Sequence, residues 1–113
     1  MPTAVARLGG DERLFYDFAQ SVLDEAPSMH EDIRSALSSG DFQKAHLAAH
    51  GLKGMLATLE ARPATAAAGE VEKLSHECRL GEATEATERL GAELDRLQAA
   101  LRDTVAGTQR RPH

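Results

Sequence analysis

An all-helical domain, arranged as an antiparallel up-down four-helix bundle, is the fold this sequence predicts. Three observations predict it. The apolar residues are 20 Ala and 14 Leu against four Val and one Ile, with aromatics at 4% and no Trp. Ala and Leu are the strongest apolar helix formers, whereas strands draw on β-branched and aromatic side chains. Apolar residues then recur at steps of three and four through four separate stretches, the period of a helix with one buried face. Finally, the connectors between the stretches are short, which makes successive helices antiparallel neighbours.

The elements follow in order. Residues 1–10 form a lead segment. Gly9-Gly10 breaks the chain and Asp11 is placed as an N-cap. From there Leu14, Phe18, Val22, Ala26, Met29, Ile33 and Leu37 keep a single phase to about Ser39. Pro27 interrupts this helix without disturbing the phase. It removes the bond to the Leu23 carbonyl, so a kinked single helix is expected in preference to two helices. Ser38-Ser39-Gly40-Asp41 is a stop and restart, with Gly40 as the C-terminal cap and Asp41 as the next N-cap. The second stripe is Phe42, Ala45, Ala49, Leu52, Leu56 and Leu59. Arg62-Pro63 marks the next start, since proline suits a first helical turn. Ala64, Ala67, Ala68, Val71, Leu74 and Cys78 supply a narrower face, closed by Gly81. Ala83, Ala86, Leu90, Leu94, Leu97 and Leu101 complete the pattern in a helix from about Glu82 to Val105. The bundle therefore spans 11–105, and 106–113 is expected to be a flexible tail. Tyr16, beside Phe15 and Phe18, is expected on the surface.

The 113 residues make one domain. Thirteen basic and 18 acidic residues give a net charge of −5, which is no electrostatic footprint for nucleic acid. One cysteine, Cys78, excludes an internal disulfide and a four-cysteine zinc site; its place on the third stripe makes it a small buried hydrophobe. Residues 1–12 hold no apolar run fit for a signal peptide, and no stretch reaches 18 consecutive apolar residues. A cytoplasmic location is expected.

One segment does not read as scaffold. In Ala45-His46-Leu47-Ala48-Ala49-His50-Gly51-Leu52-Lys53-Gly54, a rotation of 100° per residue puts the core stripe between Ala49 and Leu52. His50 lies well away from it, Lys53 falls on the flank one turn on, and Leu47, Gly51 and Gly54 gather opposite the core. Each mid-helix glycine costs about 1 kcal/mol relative to alanine, and core packing does not account for two of them on an outward face. A histidine on a surface cleared of neighbouring side chains suits phosphoryl transfer. Imidazole has a reference pKa of about 6.5 and so offers a free lone pair near neutrality. A lysine one turn along places an ammonium for the phosphoryl oxygens. No nucleotide-binding loop and no acidic Mg²⁺ cluster accompany it, so the chain is expected to hold a phosphoryl group without extracting one from ATP.

The run His50-Gly51-Leu52-Lys53-Gly54, with Ala49 before it and Leu59 after it, resembles the signature of histidine-containing phosphotransfer (HPt) domains: His-x-Leu-Lys-Gly, small residues, then Leu-Gly-Ala. Leu8-Gly9-Gly10-Asp11 leading into a helix with Glu25-Ala26-Pro27, and Gly40-Asp41 ahead of the histidine helix, are similar too. The likeness covers roughly residues 5 to 105. It implies that His50 is phosphorylated on Nε2, that Lys53 stabilises the phosphoryl group, and that His46, Leu47, Gly51, Gly54, Ala57 and Thr58 meet a docking partner. The implied partners are response-regulator receiver domains, with a sensor or hybrid histidine kinase as a further source, acting on a monomer. No cofactor is implied for this chain, because Mg²⁺ comes with the receiver, and the protein is a phosphocarrier rather than an enzyme. Two positions depart from the pattern: Glu60 stands where the family has glycine, and Met55 where it has a small residue.

Two other readings compete. A helical adaptor could dock receivers without transfer. More remotely, His46 and His50 share the four-residue spacing of a helical metal pair, with His76 or Cys78 as further ligands. No His-Glu-x-x-His or Glu-x-x-His pattern supports a metal. His30 and His76 belong to no constellation and read as surface residues.

Overall fold

The structure, a computed structural model, describes the backbone of residues 12–110 and the side chains of residues 14–103. The lead segment with its Gly9-Gly10 break, the Asp11 cap and the last residues of the tail lie outside the described residues. Four helices, α1 (Glu12–Ser38), α2 (Phe42–Thr58), α3 (Arg62–His76) and α4 (Leu80–Arg110), follow one another with no strand among the described residues. Each helix packs against its neighbours in the chain, and α1 and α4 close the ring. α1 passes through Pro27 as a single element.

The core is built as the periodicity requires. Val22, Ala26, Ile33 and Leu37 of α1, Ala45, Ala49, Leu52 and Leu56 of α2, Ala64, Ala68, Val71 and Leu74 of α3, and Ala83, Ala86, Leu90, Leu94 and Leu101 of α4 are all buried. The first turns of α1 differ from expectation. Leu14 is 54% exposed and Phe15 takes the core place. Tyr16 is half-buried rather than on the surface, edge-on to Phe15 with ring centroids 5.4 Å apart. A large aromatic ring removes more apolar area from water than leucine, and Phe15 is in phase with the buried Ala19, Val22 and Ala26 at steps of four, three and four.

The three described connectors share one geometry. Gly40, Glu60 and Cys78 each have a left-handed backbone, with φ of 76°, 60° and 57°. Each donates its N–H three residues back, to Leu37, Ala57 and Ser75, and the following residue donates five back, to Ala36, Leu56 and Leu74. This is the αL stop that satisfies the last carbonyls of a helix. It corrects the placing of Cys78 and Gly81. Cys78 is exposed in the turn, not in the core, and Gly81 lies inside α4. At the other end of the first connector, Asp41 Oδ1 accepts from the Lys44 N–H at 3.0 Å, the expected N-cap of α2. At the start of α3, Pro63 sits in the first turn. α4 begins at Leu80 and continues past Val105 to Arg110.

Candidate functional site

The capped α2 presents its alanine and leucine face to the core and turns the other face outward. Leu47 is 58% exposed, and Gly51 and Gly54 are exposed beside it. A side chain at Gly54 would meet nothing within 4 Å, so the interior of the bundle does not demand a glycine there. Ala57 and Thr58 are half-buried, with Thr58 Oγ1 donating to the Gly54 carbonyl at 3.1 Å. His50 stands among them with its side chain 65% exposed.

One residue of α3 organises this face. Glu72 directs Oε2 to His50 Nδ1 at 2.7 Å and Oε1 to Lys53 Nζ at 2.5 Å. Its backbone carbonyl meets His46 Nδ1 at 3.1 Å. The three partners occur at steps of four and three along α2 and so form a single stripe. Glu72 was not found by sequence reasoning. It directly follows Val71 of the core stripe, which places it beside the α2–α3 seam, but Glu70 is as close to that stripe in sequence. Only the packed helices decide between them: Glu70 is exposed and Glu72 is not.

The electrostatics fix the protons. The hydrogen bond from Lys53 holds the Glu72 carboxyl below its ordinary value; partial burial opposes this, and the bond from His50 reinforces it. Glu72 is therefore an ionised acceptor, and a carboxylate can bond His50 Nδ1 only if that nitrogen carries the hydrogen. In the neutral ring the Nε2 lone pair is then left free, on a side chain that is largely exposed. Among the described residues no three His, Cys, Asp or Glu side chains are grouped to hold a metal ion. His46 and His76 approach, with ring centroids 5.3 Å apart.

The Hpt-domain family model matches residues 17–100, most of the chain and the whole of α2 and α3. The chain belongs to the Hpt-domain family. No curated protein and no solved structure matches it significantly. In this Hpt domain the two departures from the signature acquire physical meaning. Glu60 occupies the left-handed turn after α2, the conformation in which glycine avoids the clash of a Cβ with its own backbone. Met55 is half-buried, so part of its bulk is spent on packing against the core cluster.

Proposed function

We propose that this Hpt domain is a phosphorelay intermediate: His50 accepts a phosphoryl group from the phospho-aspartate of a receiver domain, or from a kinase, and passes it to another receiver. The observation that carries the reading is the Glu72 bond to Nδ1, which leaves Nε2 as the nucleophile on an exposed ring. In the transfer, Nε2 forms a bond to phosphorus as the bond from phosphorus to the aspartyl oxygen breaks and the carboxylate leaves. The positive charge that develops on imidazole faces the Glu72 carboxylate across 2.7 Å. Lys53 spends one N–H on Glu72, and an ammonium has two more for the phosphoryl oxygens. The donor set here is two imidazoles, an ammonium and one carboxylate already bridged, which does not fit a cation that prefers several oxygens. Mg²⁺ accordingly belongs to the receiver, where it offsets phosphoryl charge.

Leu47, Gly51, Gly54, Ala57 and Thr58 form the docking face in this reading, and the open space over Gly54 supports it. The frame is an up-down antiparallel bundle with a bend at Pro27, supported by the short connectors between helices that pack together. No helix among the described residues is long and apolar enough to cross a membrane. We place the protein in the cytoplasm as a monomeric phosphocarrier rather than an enzyme. Incubation with a phosphorylated receiver and Mg²⁺ tests this: acid-labile, base-stable label appears on the wild type and is lost in His50→Gln. Unchanged labelling of that variant overturns the assignment, and receiver binding without any label makes the protein an adaptor.

A further inference from the structure

His46, expected beside the docking partner, is half-buried and bonds across the α2–α3 seam. Its Nδ1 donates to the Glu72 carbonyl at 3.1 Å. A carbonyl can only accept, so His46 carries its hydrogen on Nδ1. The His76 ring flanks it at 5.3 Å between centroids, tilted by 42°. Glu72 is thus held by three donors from one stripe of α2: its backbone by His46, and its two carboxylate oxygens by His50 and Lys53.

Such a key adds to the seam's own packing, in which Leu52 and Leu56 of α2 and Val71 and Leu74 of α3 are buried as well. Ala45 and Ala49 of α2 and Ala64 and Ala68 of α3 are buried, and at Gly69 an added Cβ would stand 3.5 Å from Lys53 Cδ. Faces made of small side chains approach closely but interlock weakly, because axial register is set by large side chains entering holes. A directional bond from a side chain to the facing backbone supplies the register that methyl groups do not. Displacing α3 by a fraction of an ångström would lengthen the 2.7 Å contact that sets the His50 tautomer.

We propose that His46 is a positioning residue for phosphotransfer: by binding the Glu72 backbone it sets the register of α3 against α2, and so holds the Glu72 carboxylate where it keeps His50 in its Nδ1–H form. This rests on the phosphorelay reading for its consequence, though not for its geometry. Free imidazole favours the Nε2–H form, so loss of the key shifts His50 toward it.

Nitrogen-15 NMR of the imidazoles in the full chain tests the proposal. In the wild type both His46 and His50 are expected as Nδ1–H tautomers at a pH where the rings are neutral. In His46→Leu, which keeps bulk and loses the donor, the His50 Nδ1–H to Nε2–H ratio falls several-fold. Transfer from a phosphorylated receiver slows by roughly three- to tenfold, below the roughly 10–100-fold that outer-shell partners of metal ligands contribute. His46→Asn, whose amide N–H takes the place of Nδ1–H, restores both readouts. An Nε2–H tautomer of His46 in the wild type overturns the proposal without any variant, which covers the case in which His46→Leu does not fold. A wild-type ratio and rate in folded His46→Leu overturn it as well, as does a shifted ratio with an unchanged rate. Absence of label on the wild type is a failure of the phosphorelay reading instead, and the tautomer measurement still judges the role of His46 toward Glu72.

Discussion

The bundle contains the same interhelical device twice, with different results. Across the α2–α3 seam His46 donates to the Glu72 carbonyl at 3.1 Å; across the α1–α4 seam His30 Nε2 donates to the Thr87 carbonyl at 2.9 Å. Both rings are half-buried, and both reach a backbone oxygen of the facing helix. The difference lies in the residue that owns the carbonyl. Thr87 is buried and bends its hydroxyl back to Ala83 at 2.7 Å, so the polar chain ends inside its own helix. Glu72 sends a charged group outward to a second histidine and a lysine. A histidine between helices is therefore fastening in one place and, on the phosphorelay reading, part of a reactive face in the other, according to what lies one bond beyond it.

The largest effect that separates the seams is expected at Glu72. Removing the carboxylate in Glu72→Ala frees the His50 tautomer, strips the charge facing the developing imidazolium and releases Lys53. Transfer should fall on the order of tenfold or more while the bundle stays folded. Single-turnover labelling with a phosphorylated receiver measures it, with His30→Ala as the counterpart on the other seam. A normal rate in Glu72→Ala, or an equal loss in His30→Ala, would erase the distinction between the two seams.

A smaller effect probes the fastening seam by stability alone. Gly91 faces His30 so closely that an added Cβ would lie 3.0 Å from two ring atoms. Gly→Ala in a helix gains about 1 kcal/mol when nothing opposes it. With the ring held by its bond to Thr87, Gly91→Ala should realise little of that gain, whereas in a His30→Ala background it should realise most of it. The double-mutant cycle, read by urea unfolding, should give a coupling of about 1 kcal/mol. Simple additivity would mean that the ring yields freely and that His30 fastens nothing. Phosphotransfer should be the same in all four proteins of the cycle.

The sequence made the helices legible because their core faces depend on local periodicity, which residues such as Ala45, Ala49, Leu52 and Leu56 display openly. It also exposed His50 and Lys53, because two glycines and an outward leucine break the rules of a bundle helix around them. Helix ends were legible at Gly40 and at Arg62-Pro63, whereas Gly81, read as a stop, lies inside α4. Gly40 announced the first connector, while Glu60 and Cys78 adopt the same left-handed turn without the residue type that signals it, so Cys78 was assigned to a stripe it never joins. Glu72 and the inward turn of His46 were hidden for another reason. They depend on the register of α3 against α2, a relation between two segments that no local pattern encodes.

The smallest expected effect concerns pH, and its sign follows from Glu72. Its carboxyl is held below the ordinary value of 4.5 in the folded protein, chiefly by the bond from Lys53. A group whose folded pKa is depressed contributes stability that is complete above its unfolded value and disappears as pH falls through the folded one. The wild type should accordingly be more stable than Glu72→Gln at neutral pH, and the two should converge in acid below 4.5. Lys53 is 36% exposed, so solvent screens the pair and the neutral-pH difference should stay within about 1 kcal/mol. The His30→Ala difference involves a neutral backbone carbonyl in place of a carboxylate, so it should not follow that curve. Urea unfolding of the three proteins at several pH values decides the matter. A Glu72→Gln difference that persists undiminished in acid would mean that the residue stabilises the seam by packing, not by charge.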